Sequence, residues 1–135
     1  MANEATQVNI SDHPSDNPSF TVASGTAISA GTLLKLSDPR TASATSGTGD
    51  IFVGVALADK DSDDDATELA VNTKGIWDMT VNAGEGVTLG KYVSTSGANL
   101  IKNATDAEIS GGQVVGKALE TGSANEVIEV AIGMY

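Results

Sequence analysis

Val53-Gly54-Val55-Ala56-Leu57 returns later in the chain as Val115-Gly116-Lys117-Ala118-Leu119. The neighbouring segments return with it. Ile28-Ser-Ala-Gly31-Thr-Leu-Leu34-Lys-Leu-Ser37 precedes the first copy and Val87-Thr-Leu-Gly90-Lys-Tyr-Val93-Ser-Thr-Ser96 the second, matching at the branched apolar residue, the glycine, the next apolar residue and the serine. Glu68-Leu-Ala-Val71 and Glu126-Val-Ile-Glu-Val130 follow in turn. The stretch from Ile51 to Ala58 sets large residues on one side and Gly or Ala on the other, the pattern of a strand buried on both faces. Its small residues leave room for a second strand or sheet to approach closely. Each copy alone would leave an apolar face uncovered, so the two are expected to share one core about a pseudo-twofold axis. The repeats span about residues 28–72 and 87–132 of a single β domain, residues 19–135.

The rest of the chain fits this reading. Phe20–Ala23, Thr32–Leu36, Thr67–Asn72, Gly75–Val81, Val87–Leu89, Tyr92–Ser94, Leu100–Lys102, Gln113–Leu119 and Val127–Ile132 read as further short strands between turn residues. Gly75–Val81 is a clean period-two strand with Trp77, Met79 and Val81 on one face. Asp38–Asp50 reads as a loop. Thr105-Asp-Ala-Glu-Ile109 offers one helical turn, with Thr105 as cap and Glu108 at the capping-box position. The expected fold class is all-β, a small glycine-rich barrel or sandwich of about nine or ten short strands.

Composition narrows the function. With 135 residues the chain makes one domain, and with only five aromatic residues its core must come from Val, Ile, Leu and Ala. The net charge of −11, with seven basic residues, argues against nucleic acid and against anionic membranes as partners. No apolar run approaches the length of a membrane span, and the N-terminus lacks the pattern of a secretory signal, which implies a soluble product. Residues 1–18 carry two prolines, Pro14 and Pro18, and several acids, and are expected to form a flexible N-terminal arm.

The chain offers little chemistry. It has no cysteine, its single histidine is His13 in the arm, and no G-x-S-x-G elbow is present, so no nucleophile–base pair is expected and the chain does not read as an enzyme. No cofactor is implied. Gly84-Glu-Gly86-Val-Thr-Leu-Gly90 lacks the dinucleotide spacing and the following helix. Asp61, Asp63 and Asp65 have the spacing that opens a calcium loop, but Ala66 and Asn72 stand where a glycine and a bidentate glutamate belong. A solvated acidic loop is the simpler reading. Lys60 resembles the modified lysine of a carrier domain only loosely, since Asp61 follows it. The candidates for partner contact are His13, Pro14, Pro18 and Phe20 near the arm, and Trp77, whose residue type is enriched at interface hot spots although in a chain so poor in aromatics a core role suits it better.

Gly31-Thr-Leu-Leu-Lys-Leu, Val53-Gly-Val-Ala-Leu, Gly75-Ile-Trp-Asp-Met-Thr-Val, Gly90-Lys-Tyr-Val-Ser and Val115-Gly-Lys-Ala-Leu-Glu, in this order, resemble the head decoration, or capsid cement, proteins of tailed double-stranded DNA viruses. The resemblance covers about residues 20–135. It implies a structural virion protein without catalytic residues, made in the host cytoplasm and placed on the outer capsid surface. Its partners would be the major capsid protein and further copies of itself in a homotrimer, stabilising the shell by bridging neighbouring subunits. A carbohydrate-binding or adhesion β-module is the alternative, and it would require exposed aromatic rings.

Overall fold

The computed structural model describes residues 2–10 and 17–133. It is all-β, with eleven strands in two sheets and one short helix. The first sheet comprises β2 (Ser19–Thr21), β3 (Leu33–Asp38), β4 (Thr41–Ala44), β5 (Phe52–Ala56) and β6 (Glu68–Asn72), closed as a barrel in the order β2-β4-β3-β5-β6. The second holds β1 (Thr6–Ile10), β7 (Gly75–Val81), β8 (Tyr92–Thr95), β9 (Leu100–Asn103), β10 (Gly116–Ala118) and β11 (Val127–Ile132), in the order β1-β7-β11-β10-β8-β9. A parallel pairing of β7 with β9 joins the ends of the last five into a second ring.

The rings match strand for strand. The parallel pair β2–β4 corresponds to β7–β9, and the antiparallel pairs β3–β4, β3–β5, β5–β6 and β2–β6 correspond to β8–β9, β8–β10, β10–β11 and β7–β11. Register is also kept. Leu34 faces Gly54 as Val93 faces Gly116, and Ala56 faces Val71 as Ala118 faces Val130. The bridge between Ile28 and Lys60 has its counterpart between Val87 and Gly122. At the entry turns, Gly31 (φ +89°) donates its N–H to Ala56 O, and Gly90 (φ +82°) donates to Ala118 O, both at 2.8 Å. Glycine meets this positive φ without steric cost.

The interiors correspond residue by residue. In the first ring Val22, Ile28, Leu34, Ala42, Ala56, Leu69 and Val71 form the core, with Phe20 and Val53 packed against it. Their equivalents by strand pairing are Val81, Val87, Val93, Ile101, Ala118, Ile128 and Val130, with Met79 and Val115, and all nine belong to the second cluster. Burying each of these large aliphatic side chains contributes about 1.5–3 kcal/mol. The remaining members of that cluster, Ala5, Leu33, Val55, Trp77 and Ile132, with Phe52 and Leu57 against them, join the rings to each other. Val55 therefore buries outward while Gly54 and Ala56 face the barrel, as expected of a strand covered on both sides.

Two strands depart from the sequence reading. β1 lies in the segment expected to be a flexible arm, yet it pairs antiparallel with β7 from Thr6 to Ile10, and Ala5 ahead of it is 7% exposed. Its side chains are mostly polar because its contribution to the fold is a ladder of backbone hydrogen bonds on the edge of β7. β4 lies in the expected loop. It is held between β3 and β2 with Ala42 as its buried residue, too small to produce a visible apolar pattern. Conversely, Val87–Leu89 contributes only the bridge of Val87 to Gly122.

The junction between the rings also departs from the expected pseudo-twofold arrangement, which would make contacts reciprocal. The β8–β9 turn inserts Asn99 (1% exposed, φ +59°) into the first ring. Asn99 Oδ1 accepts from Leu33 N at 2.9 Å, and its backbone N–H donates to Thr45 Oγ1 at 3.2 Å. Thr95 Oγ1 accepts from Asp50 N at 2.7 Å and donates to Gly47 O at 3.0 Å. The equivalent turn of the first ring, with Arg40 (φ +52°) in the place of Asn99, makes no such contact with the second ring among the described residues. Leu33 and Val55 of the first ring are fully buried at this junction, whereas Tyr92 and Lys117 at the matching positions of the second are half-buried.

Candidate functional site

The sequence candidates fall in different places. His13 and Pro14 lie outside the described residues. Pro18 is half-buried and its carbonyl accepts from Val71 N at 2.9 Å, while Phe20 packs on the first-ring core with the Arg40 guanidinium 5.2 Å from its ring centre. Trp77 is 3% exposed, and its indole N–H donates to Asn72 Oδ1 at 2.8 Å across the junction. Its role in this fold is to bind one ring to the other, and only a small edge of it reaches the cleft beside β1.

Asp61, Asp63 and Asp65 are exposed in the loop before β6. The loop turns on its own backbone, Asp64 N donating to Asp61 O at 3.1 Å. Among the described residues, the only three acidic groups whose carboxylate oxygens gather within 4.8 Å of one another are Asp78, Glu120 and Glu129. Asp78 and Glu129 are direct cross-strand partners on β7 and β11, and Glu120 Oε2 accepts from Glu129 N at 2.8 Å. Like charges placed opposite each other on a sheet repel, so this trio raises the negative potential of the face. Sequence reading missed it because the three residues meet only through strand register. Lys60, by contrast, is 3% exposed and donates to Ser24 O and Thr26 O at 2.7 and 3.0 Å. It fastens a turn and is not presented for modification.

The best-held ionic group is on the second ring. Helix α1 (Asp106–Ser110) begins at Thr105, with both halves of the expected capping box formed. Glu108 receives hydrogen bonds from Lys102 Nζ at 2.7 Å, from Ser94 Oγ at 2.9 Å and from Thr105 N at 2.9 Å. Burial raises its carboxyl pKa, but the bonds from Lys102, Thr105 and Ser94 outweigh that and lower it from 4.5 to about 2. An ion pair fixed in this way is structural, holding α1 against β8 and β9.

Two open clefts lie among the described residues. One, of about 380 Å³, is lined by Phe52, Tyr92, Ile109, Gly112 and Val114 beside α1. The other, of about 250 Å³, runs between β1 and the first ring along Ala5, Thr6, Gln7, Ala30, Gly31, Ala56, Leu57 and Trp77. Neither set of lining residues pairs a nucleophile with a base. Both suit contact with a surface better than enclosure of a substrate.

Comparison with known proteins agrees with this picture. No curated protein sequence matches the chain. The crystal structure of the head fiber gp8.5 N base in bacteriophage phi29 has a similar fold, with a TM-score of 0.54 and 22% identity, over 86% of this chain and 93% of that one. A family model described as phage cement protein matches residues 14–134. With nearly the whole of both rings inside that match, the chain belongs to the phage cement protein family, whose members are capsid-associated structural proteins of the virion.

Proposed function

We propose that this protein binds the outer surface of an assembled capsid and stabilises it by bridging neighbouring copies of the major capsid protein, acting as a homotrimer. The observation that carries the proposal is the duplicated ring in a chain of the cement family. Two closed β units, each with its own interior and joined by a buried apolar junction, form a stiff body, and stiffness is what a clamp across two subunits needs. The surface carries the chain's net charge of −11, which keeps the protein off packaged nucleic acid and favours a shell surface with basic patches. The adhesion alternative loses its best aromatic platform, because Trp77 is buried.

His13, Pro14, Pro18 and Phe20 form the proposed contact region. Since β1 and Ala5 belong to the fold, substitution tests this region more cleanly than truncation. Purified shells, bare and decorated, are heated while release of their contents is followed. The decorated shells are expected to survive to higher temperature, and the double variant His13→Ala, Pro14→Ala to bind them more weakly at unchanged melting temperature of the free protein. Shells that neither bind the protein nor gain stability would overturn the proposal.

A further inference from the structure

Residues 2–10 belong to neither ring, yet they touch both. On the second ring β1 pairs with Gly75–Asp78 of β7, along the edge whose far end, Thr80 and Val81, pairs with β9 to close the ring. Asn99 Nδ2 also donates to Ala2 O at 3.0 Å. On the first ring the segment crosses the entry turn. There Ala5 N donates to Gly31 O at 2.6 Å, and a Cβ on Gly31 would strike Ala5 O and Glu4 Cβ. At the matching turn of the second ring a Cβ on Gly90 would meet nothing within 4 Å among the described residues, and Lys91 is exposed where Thr32 is fully buried. The crossing segment accounts for that difference.

Its hold is narrow. Among residues 2–8 only Ala5 is buried, while Thr6, Gln7 and Val8 are exposed. Alanine buries little apolar surface, so the segment is kept in place chiefly by backbone hydrogen bonds. Against them stand two buried side-chain oxygens with no hydrogen-bond partner, Glu4 Oε2 in the segment itself and Thr32 Oγ1 beside Gly31. A carboxylate oxygen taken out of water without a partner disfavours the state that buries it. We infer that residues 2–10 form a strap that opens as one unit while both rings stay closed. Such local opening needs few buried apolar contacts, as here, and the second ring closes through β7, β9, β8, β10 and β11 without β1. Opening returns water to the two oxygens and bares the β7 edge from Gly75 to Asp78, with the side of Trp77 in the cleft of about 250 Å³. Unpaired strand edges invite unwanted pairing, so the closed strap is the cover of this one. The device is independent of the capsid-binding role proposed above.

Hydrogen exchange of the full chain, followed by mass spectrometry on fragments covering residues 2–10, β7, β11 and the first ring, tests this. The amides of Ala5 and β1 are expected to exchange together, at least about 100-fold faster than those of β11. Because the chain has no cysteine, a lock can be placed cleanly. Thr6→Cys with Asp78→Cys joins directly opposed positions, at a spacing of about 4.5–5.5 Å in antiparallel pairs, which suits a disulfide. Oxidation is expected to slow exchange in β1 to the rate of β11 and to reduce acrylamide quenching of Trp77, the single tryptophan, and reduction to restore both. A thermal melt of the reduced form checks that the double variant is folded. Glu4→Ala removes the orphaned carboxylate and keeps the Cβ against Gly31, so opening is expected to become about tenfold rarer. Strap amides as protected as those of β11, rates graded inward from the terminus, or exchange unchanged by the oxidised lock would each overturn opening as a unit. Exchange unchanged or faster in Glu4→Ala would overturn the part assigned to the buried carboxylate.

Discussion

The two rings have nearly the same inside and quite different outsides. Nine apolar positions correspond between them, and both hold a glycine where β5 or β10 passes under its neighbour. Outside, the first ring buries Leu33 and Val55 against the second, which has Tyr92 and Lys117 at those positions with the ammonium 5.5 Å from the ring centre. The second ring carries α1 before β10, whereas the first carries the longer acidic loop before β6. Closing five short strands into a ring fixes the interior, because each inward position is surrounded by others. The outer face is constrained only by what covers it, so interaction surfaces are expected where the copies diverge and stability where they agree.

The sharpest way to break this comparison is to substitute the two shared glycines. A Cβ on Gly54 would strike Asn72 O and Val71 Cγ1, and one on Gly116 would strike Ala131 O. Gly54→Ala and Gly116→Ala are each expected to cost about 3 kcal/mol, since backbone cannot move aside as a side chain can. Urea denaturation measures both. Losses agreeing to within about 0.5 kcal/mol support equivalent interiors, whereas tolerance at one site alone would show that the rings are packed differently.

Next in size is the pair of turns. Asn99→Ala removes the acceptor of the buried Leu33 N–H and places alanine at a φ of +59°, for an expected loss of about 2 kcal/mol. Asn99→Gly keeps the backbone conformation and separates the hydrogen bonds from the strain. Arg40→Ala loses only an exposed bond to Ser19 O and the contact over Phe20, about 1 kcal/mol or less. Equal losses at Asn99 and Arg40 would contradict the one-sided junction.

How much of this was legible follows the same division. The repeated Val-Gly-x-Ala-Leu, the period-two strand from Gly75 to Val81 and the capping box from Thr105 to Glu108 were readable because each is a local pattern with a local cause. β1 and β4 were not, since backbone pairing with β7 and with β3 holds strands that have little apolar periodicity of their own. The junction lay further out of reach. Asn99 meets Leu33 across 66 residues, and nothing near either residue in sequence signals it. The carboxylate trio likewise depends on strand register, and although the sequence favours a core role for Trp77, its partner Asn72 becomes visible only once the rings are joined.

The last expected effect is the most selective, because it reports the second ring alone. In the first ring Lys35 Nζ donates to Ser46 Oγ at 2.8 Å, a neutral acceptor, whereas in the second Lys102 meets the Glu108 carboxylate. With its pKa lowered to about 2 in the folded chain from 4.5, Glu108 binds its proton more weakly folded than unfolded. Its contribution to stability is therefore present above pH 4.5 and is lost as the pH falls from there through about 2. Glu108→Gln removes that contribution at every pH. The stability gap between the unaltered chain and the variant should be widest near neutrality and narrow across this acid window. Lys35→Met, which changes the first ring, should leave the pH profile of stability unchanged in the same window. A Glu108→Gln gap that stayed constant down to pH 2 would mean that the carboxylate gains nothing from Lys102, and that α1 is held by its cap and Ser94 alone.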